Sequence, residues 1–204
     1  MKLNKGTPRN IKATRECFLN AVESLLQKEG LRGLGINAIA REAGRDKALI
    51  YKYFGDLNGL YMEYAKKSRL FPTLKEMMGV SIDKILTMDP YQLTTALVKG
   101  YLREIRKRPL TLEILRWELV EQNSLTKALS TYRSQQTNQI KKYFKDTEAF
   151  DISALFSILY GGLVYLMLKA KAGEKFTGLD LNSEQTWNRI ENAMETLLKK
   201  LLKR

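Results

Sequence analysis

The sequence predicts an all-α fold, with a small amino-terminal domain of three helices and a larger helical domain after it. Three observations carry this prediction. The 204 residues include only four prolines, the residue that helix interiors tolerate least. Leu, Lys and Glu, all good helix formers, are frequent. Apolar residues recur every three or four positions, and no stretch alternates apolar and polar for more than a few residues.

Thr7-Pro8 reads as a helix start, a capping hydroxyl followed by proline at the first helical position. Ile11, Phe18, Val22, Leu25 and Leu26 then fall mostly on one face, and Gly30 stops the helix. Gly33 and Gly35 keep the next stretch a loop. A short helix over Ile36–Ala43 ends at Gly44, and Asp46 caps another over Lys47–Phe54. Gly55-Asp56 breaks the chain and restarts it as a helix from Leu57 to Leu70. A weaker helix is expected over Thr73–Met88, interrupted by Gly79. Asp89-Pro90 starts a helix to Lys107, Pro109 starts one to Gln122, and Ser124 or Leu125 starts one to Lys145. Asp151 caps a strongly apolar helix that ends near Gly173. A loop, Gly173 to Asn182, leads to Ser183, which caps the last helix. No internal repeat or low-complexity segment is present.

Charge and composition narrow the function. With 35 Lys and Arg against 22 Asp and Glu, the formal charge is +13. Residues 1–55 hold 11 basic and 5 acidic groups, and residues 56–204 hold 24 and 17. The amino-terminal quarter is therefore about twice as basic per residue. Such an excess suits a polyanion, nucleic acid or an anionic membrane surface, and equally a solvated lysine-rich surface. Hydrophobic residues make up 44% and charged residues 28%, which argues against a disordered chain and a multi-span membrane protein.

Histidine is absent, which removes Ser-His and Cys-His catalytic pairs and any His-ligated metal. Cys17 is the only cysteine, so the chain makes no internal disulfide and no thiolate zinc site. It reads as a small buried side chain of the first helix, with a redox sensor as the alternative. No Glu-x-x-His pair and no glycine-rich phosphate loop is found. No enzyme, metal or cofactor is expected. Met1 to Asn10 lack the apolar middle of an export signal, and a cytoplasmic protein is expected. The longest uncharged run, Ile152 to Leu168, is 17 residues, the short limit for a membrane span. Its serines, tyrosines and glycines favour a buried helix over a span, so no membrane partner is expected.

The segment from Ile36 to Phe54 carries the functional signal. Two short helices joined across Gly44 suggest a helix-turn-helix. Ile39, Ala40 and Ala43 form a small apolar face on the first helix, and Ile50 and Phe54 form one on the second. Gly44 accepts the positive φ that a tight turn needs. The second helix then presents Lys47, Ala48, Tyr51 and Lys52 outward. That basic and aromatic face fits phosphates and base edges in a major groove.

The run Ile39-Ala40-Arg41-Glu42-Ala43-Gly44-Arg45-Asp46-Lys47-Ala48-Leu49-Ile50-Tyr51-Lys52-Tyr53-Phe54 resembles the signature of TetR-type transcriptional regulators, roughly I-A-x-x-A-G-V-S-K-G-T-L-Y-x-Y/H-F. The flanks agree: Thr14-Arg15-Glu16 and Ala21 in the first helix, Gly30 after it, and Gly55-Asp56 leading into Leu60. The motif resemblance covers Thr7 to Ala65. Beyond it, only the length, the helical layout and the stretch Gly178-Leu179-Asp180-Leu181 to Trp187 match.

The resemblance implies a helix-turn-helix DNA-binding domain over residues 1–55 and a helical ligand-binding and dimerisation domain over 56–204. It implies that Lys47, at the start of the recognition helix, contacts phosphate or base, and that Ala48 lies against the DNA. Tyr51 and Tyr53 take the aromatic positions that reach phosphates, and Lys52 the variable position that reads bases. Asn37 matches a position in the preceding helix that often contacts DNA. Two residues depart from the pattern. Arg45 replaces the usual small apolar residue and is expected to supply charge. Leu57 stands where many members have a phosphate-contacting lysine and receives no contact. Tyr51 and Tyr53 also suit a core, as aromatics at helical spacing do. Lys2, Lys5 and Arg9 suit either a basic arm on DNA or a solvated tail.

In the last helix, Trp187, Ile190, Met194, Leu197 and Leu201 recur at spacings of 3, 4, 3 and 4, with Leu198 and Leu202 beside them. That stripe and the apolar helix before it, with Gly161-Gly162, suit a two-fold four-helix dimer interface or a simple core. Tyr91, Tyr101, Trp117, Tyr132 and Tyr160, with Arg103 and Arg116, are candidates for a ligand pocket, though no spacing identifies a ligand. The resulting expectation is a dimeric DNA-binding regulator, a repressor by default, released from an inverted-repeat operator by a small molecule. The alternative is a helical ligand-binding protein or enzyme without a DNA-regulatory role.

Overall fold

A computed structural model describes residues 8–143 and 151–202 of the protein. Thr7, Lys2, Lys5 and the side chain of Arg9 lie outside the described residues, so the first cap and the basic arm do too. The described residues form α1 (Pro8–Glu29), a 3-10 turn (Gly30–Gly33), α2 (Ile36–Glu42), α3 (Ala48–Phe54) and α4 (Leu57–Lys67). Then come α5 (Leu74–Met78), α6 (Ile82–Leu86), α7 (Pro90–Arg106), α8 (Pro109–Val120), α9 (Ser124–Lys141) and α10 (Ile152–Lys171). A hairpin of β1 (Lys175–Phe176) and β2 (Leu179–Asp180) precedes α11 (Glu184–Leu202). The chain packs as two compact units, Met1–Arg69 with Trp117–Tyr132, and Leu70–Arg116 with Arg133–Arg204.

In the first unit, the predicted face of α1 is the core. Phe18, Val22, Leu25 and Leu26 are buried, together with Ile39, Ile50, Leu60 and Tyr64. Ile11 is half-buried at the edge of that face. Phe54 is also half-buried, its ring edge-on to Phe18 at 6.0 Å between centroids. Cys17 is half-buried rather than buried, because it sits one position before Phe18 and so falls at the margin of the inward face.

In the second unit, α7 is the central element and buries Leu93, Leu97, Val98, Tyr101, Leu102 and Ile105. Asp89 and Gln92 form a reciprocal capping box at its start, as the Asp89-Pro90 pair predicts. A methyl group at Gly100 would lie 1.9 Å from the carbonyl oxygen of Met77. Only glycine therefore lets α7 approach the end of α5 so closely. The expected Thr73–Met88 helix is two short ones. Gly79 takes a left-handed φ of 66° after α5, and Thr73 and Ser81 cap α5 and α6 separately.

The expected loop between Gly173 and Asn182 contains the two-stranded hairpin. Phe176 pairs with Leu179 across Thr177-Gly178, both at positive φ, 48° and 78°, which is the geometry of a tight two-residue turn. Strands of two residues are too short to show alternation in sequence. Trp187 is buried and donates its indole N–H to the carbonyl of Leu181 at 2.8 Å, anchoring α11 behind the hairpin.

Helix α10 departs from the expectation of a buried helix. Leu163 and Met167 are buried, but Ile158 is 72% exposed and Tyr165 46%, with Gly161 and Gly162 also exposed. Residues 158, 161, 162 and 165 share one helical face, so one face of an apolar helix is left exposed among the described residues. The segment Ser153–Lys171 is also long and apolar enough to cross a membrane by length and composition.

Candidate nucleic-acid interface

The turn between α2 and α3 is built by Gly44, at φ 60°. Its N–H donates to the carbonyl of Arg41 at 3.1 Å, and the N–H of Arg45 donates to that of Ala40 at 3.0 Å. This pair of bonds closes the last turn of α2 and redirects the chain, and the glycine takes the left-handed conformation it requires. Asp46 then accepts the N–H of Ala48 on its carboxylate at 2.8 Å, starting α3. Ile39 and Ala40 of α2 and Ile50 of α3 point inward, and Ala43 is half-buried.

The two short helices are held onto the first unit by polar ties. Glu42 accepts hydrogen bonds from Ser24 at 2.6 Å and Lys28 at 2.9 Å. The Ser24 hydroxyl and then the Lys28 ammonium hold its carboxyl below the ordinary carboxylate range. At the other end of α3, Arg15 of α1 donates to the carbonyl of Tyr53 and pairs with Glu63 of α4. Its guanidinium lies 4.6 Å from the centroid of the Phe54 ring. Lys67 reaches the same Glu63 at 3.2 Å. Burial works against ionisation of Glu63, but the hydrogen bonds and charges of Arg15 and Lys67 outweigh it and hold the carboxyl below its ordinary range. One arginine thus connects α1, α3 and α4. Its partners are 38 and 48 residues away, so no local pattern in the sequence marks it beyond its place in the family motif.

The outward face carries the residues singled out from sequence. Asn37, Arg45, Lys47, Ala48, Tyr51 and Lys52 are all exposed, and Tyr53 is half-buried. Tyr51 is 55% exposed, which removes the core alternative for its ring. Lys47 sits just before the first residue of α3, and its ammonium donates to the side-chain oxygen of Asn37 at 3.4 Å. The structure therefore brings Asn37 and Lys47 together across the turn. Lys52 lies over the ring of Tyr53 at 5.6 Å, which leaves one cation and one aromatic ring at the carboxy-terminal half of the helix. Arg45 points back to the carbonyl of Gly44 at 3.0 Å and stays on the exposed turn. Chemically, this is a surface of cations, hydroxyls and an amide on a short helix raised from a small domain, a set that suits phosphates and base edges.

The pocket candidates separate. Tyr101 and Tyr160 line one cavity of the second unit. Trp117 and Tyr132 belong to the first unit. Tyr91 donates to Glu195 at 3.3 Å. Arg103 donates to the carbonyls of Glu76 and Met77 at 3.2 and 3.1 Å, so it braces α5 against α7. Arg116 is exposed beside Glu113 at 3.9 Å. Among the described residues, no group of three or more His, Cys, Asp or Glu side chains is placed to hold a metal ion.

Residues 12–64 match the family described as bacterial regulatory proteins, tetR family. No curated protein matches the chain. The fold is similar to several crystal structures. A TetR-family transcriptional regulator from Rhodococcus sp. is 16% identical, with a TM-score of 0.56 over 92% of this chain and 99% of that one. A TetR-family regulator from Streptomyces coelicolor A3 is 14% identical, with a TM-score of 0.54 over 100% of both chains. HlyIIR, a hemolysin II transcriptional regulator, is 16% identical, with a TM-score of 0.51 over 95% of this chain and 99% of that one. At these identities the likeness is one of fold.

Proposed function

We propose, from the premise that residues 12–64 belong to the tetR family of bacterial regulatory proteins, that this protein is a dimeric transcriptional repressor. In this reading, residues 1–55 bind an inverted-repeat operator and residues 56–204 dimerise and bind a small-molecule effector that releases the DNA. The observation that carries the reading is the exposed face of α3 with its flanks: Lys47, Tyr51 and Lys52 on a helix fixed from behind by Ile50 and Arg15. Lys47 and Tyr51 contact phosphates, Lys52 reads bases, and Asn37, Arg45, Ala48 and Tyr53 border the contact. A single short helix reads only a few base pairs, so two copies related by a two-fold axis give the operator its length.

The uncovered apolar face of α10, with Leu197 of α11 at 45% exposure, supports dimerisation. Two copies of α10 and α11 burying these residues make a four-helix interface. The same cover accounts for an apolar helix that one chain leaves half bare, and the protein is then cytoplasmic. Capture of genomic DNA fragments by the purified protein, followed by sequencing, tests the reading. Inverted repeats with half-site centres about 34 Å or a multiple apart are expected. Recovery of no enriched sequence overturns it in favour of a helical ligand-binding protein.

A further inference from the structure

A lysine reads a base only when its charged head is held in one place. The head ends a four-carbon stem, and ordering that stem costs as much rotamer freedom as almost any side chain loses. Lys52 is exposed, and among the described residues no carboxylate, carbonyl or hydroxyl bonds its ammonium. What the ammonium meets is the ring of Tyr53, 5.6 Å from the centroid, within the distance at which a cation is drawn to an aromatic face. Successive side chains diverge by about 100° around a helix, so the long stem folds back to reach the ring. Tyr53 is itself well fixed. It is half-buried, its carbonyl accepts from Arg15, and the next residue, Phe54, packs edge-on against Phe18.

We propose that Tyr53 is a positioning residue: its ring holds the Lys52 ammonium so that it reads a guanine in each operator half-site. The proposal rests on the reading of α3 as the DNA-facing helix, and it names the base and the residue that holds its reader. An ammonium only donates. Guanine offers it two acceptors in the major groove, N7 and O6, whereas adenine sets a donor beside its acceptor and cytosine presents a donor. Thymine offers one acceptor beside a methyl group. A held ammonium therefore matches guanine, and on any other base it loses a partner or meets a donor. An ammonium that swings on its stem pairs with the nearest phosphate instead, which carries no sequence information. The family resemblance implies a phosphate contact for Tyr53, a task for its hydroxyl. Holding Lys52 is a task for the ring, so substitution separates the two.

Fluorescence anisotropy of the full chain tests this, with the operator enriched from genomic fragments and duplexes of it in which each base pair is replaced in turn. The native protein should prefer one guanine per half-site over adenine by about fivefold or more. Lys52→Ala should abolish that preference, and Tyr53→Leu should reduce it by about two- to fivefold, the scale of a cation–ring contact. Tyr53→Phe should keep the preference, whatever the missing hydroxyl does to affinity. Adding Tyr53→Leu to Lys52→Ala should change the preference no further. In the DNA-free protein, proton NMR should place the Lys52 ε-methylene upfield of lysines that face no ring, in the native chain and in Tyr53→Phe alike. That signal decides the contact even if Tyr53→Leu fails to fold. The proposal is overturned if folded Tyr53→Leu keeps the native preference, if Tyr53→Phe loses it to the same extent, or if the double variant shifts it further. It is also overturned if the Lys52 methylene shows no upfield displacement, or if Lys52→Ala leaves the guanine preference in place. All of these outcomes leave the regulatory reading standing, whereas recovery of no operator overturns that reading too.

Discussion

Arg15 in α1 and Glu63 in α4 form a two-pronged pair. The Arg15 Nε donates to Oε1 at 3.3 Å, Nη2 pairs with Oε2, and the remaining Nη1 donates to the carbonyl of Tyr53 at the end of α3. The helix proposed to face DNA is thus held at its carboxy-terminal end by a residue outside the helix-turn-helix. Loss of Arg15 leaves the Tyr53 carbonyl and the Glu63 carboxylate short of a charged partner. Arg15→Ala is expected to lower stability by about 1–3 kcal/mol, the scale of hydrogen bonds to charged groups, as read by urea denaturation. It should also weaken operator binding while leaving the salt dependence unchanged, because Arg15 releases no counterion from DNA. A reduced salt slope would instead make Arg15 a phosphate contact.

A second prediction tests the close approach of α5 and α7. Gly100→Ala places a methyl group against the Met77 carbonyl, which backbone cannot yield without moving a helix. The cost is expected to be about 1–3 kcal/mol, the usual range for overpacking. Arg103 grips the same carbonyl from one turn further on, so the two elements cannot part freely. A thermal melt of Gly100→Ala indistinguishable from that of the native protein would show that α5 stands off from α7 in solution.

Acid should weaken the second unit through Glu104. The Arg108 hydrogen bond, acting against the cost of burial and joined by Arg103 and Lys107, holds its carboxyl down to about 2 from an ordinary 4.5. A depressed carboxyl favours the folded state at every pH above its unfolded value, and that contribution is lost as pH falls through the folded one. The native protein should therefore lose stability between about pH 4.5 and 2 more steeply than Glu104→Gln. Parallel melting curves for the two proteins over that window would contradict the assignment.

The proposed dimer predicts its own disruption. Ile158→Glu in α10 or Leu197→Glu in α11 puts a carboxylate on a surface that two chains would bury. Light scattering should give a dimer for the native protein and a helical monomer for either variant, with operator binding lost. Native protein that is monomeric at micromolar concentration would remove the two-fold model.

Much of this fold is legible in the sequence. The helix-turn-helix is, because its apolar residues, its turn glycine and its cap lie within twenty residues of one another and each obeys a local rule. The start of α7 is, through Asp89-Pro90. The hairpin at Lys175–Asp180 is not, since two-residue strands carry no periodicity. The Arg15 clasp is not, since it depends on residues distant in sequence meeting in space. The family motif includes Arg15 without giving its partners. The exposure of α10 leaves the expectation of a core helix unmet within one chain for a physical reason: an apolar helix is covered by whatever lies beside it, and composition does not distinguish the rest of the same chain from a second copy.

We propose that α3, preceded by Lys47, is the element that reads DNA. One set of titrations tests it most directly: native protein, Lys47→Ala, Tyr51→Phe and Lys52→Ala against a captured operator and its variants, over a range of salt. Lys47→Ala should weaken all sequences alike and reduce the salt slope by about 1. Tyr51→Phe should cost roughly 0.5–3 kcal/mol, the range for one hydrogen bond, with the fold intact. Lys52→Ala should change which operator variant is preferred. If Lys47→Ala and Tyr51→Phe, both folded and dimeric, bind with native affinity and native salt slope, the recognition element lies elsewhere in the chain.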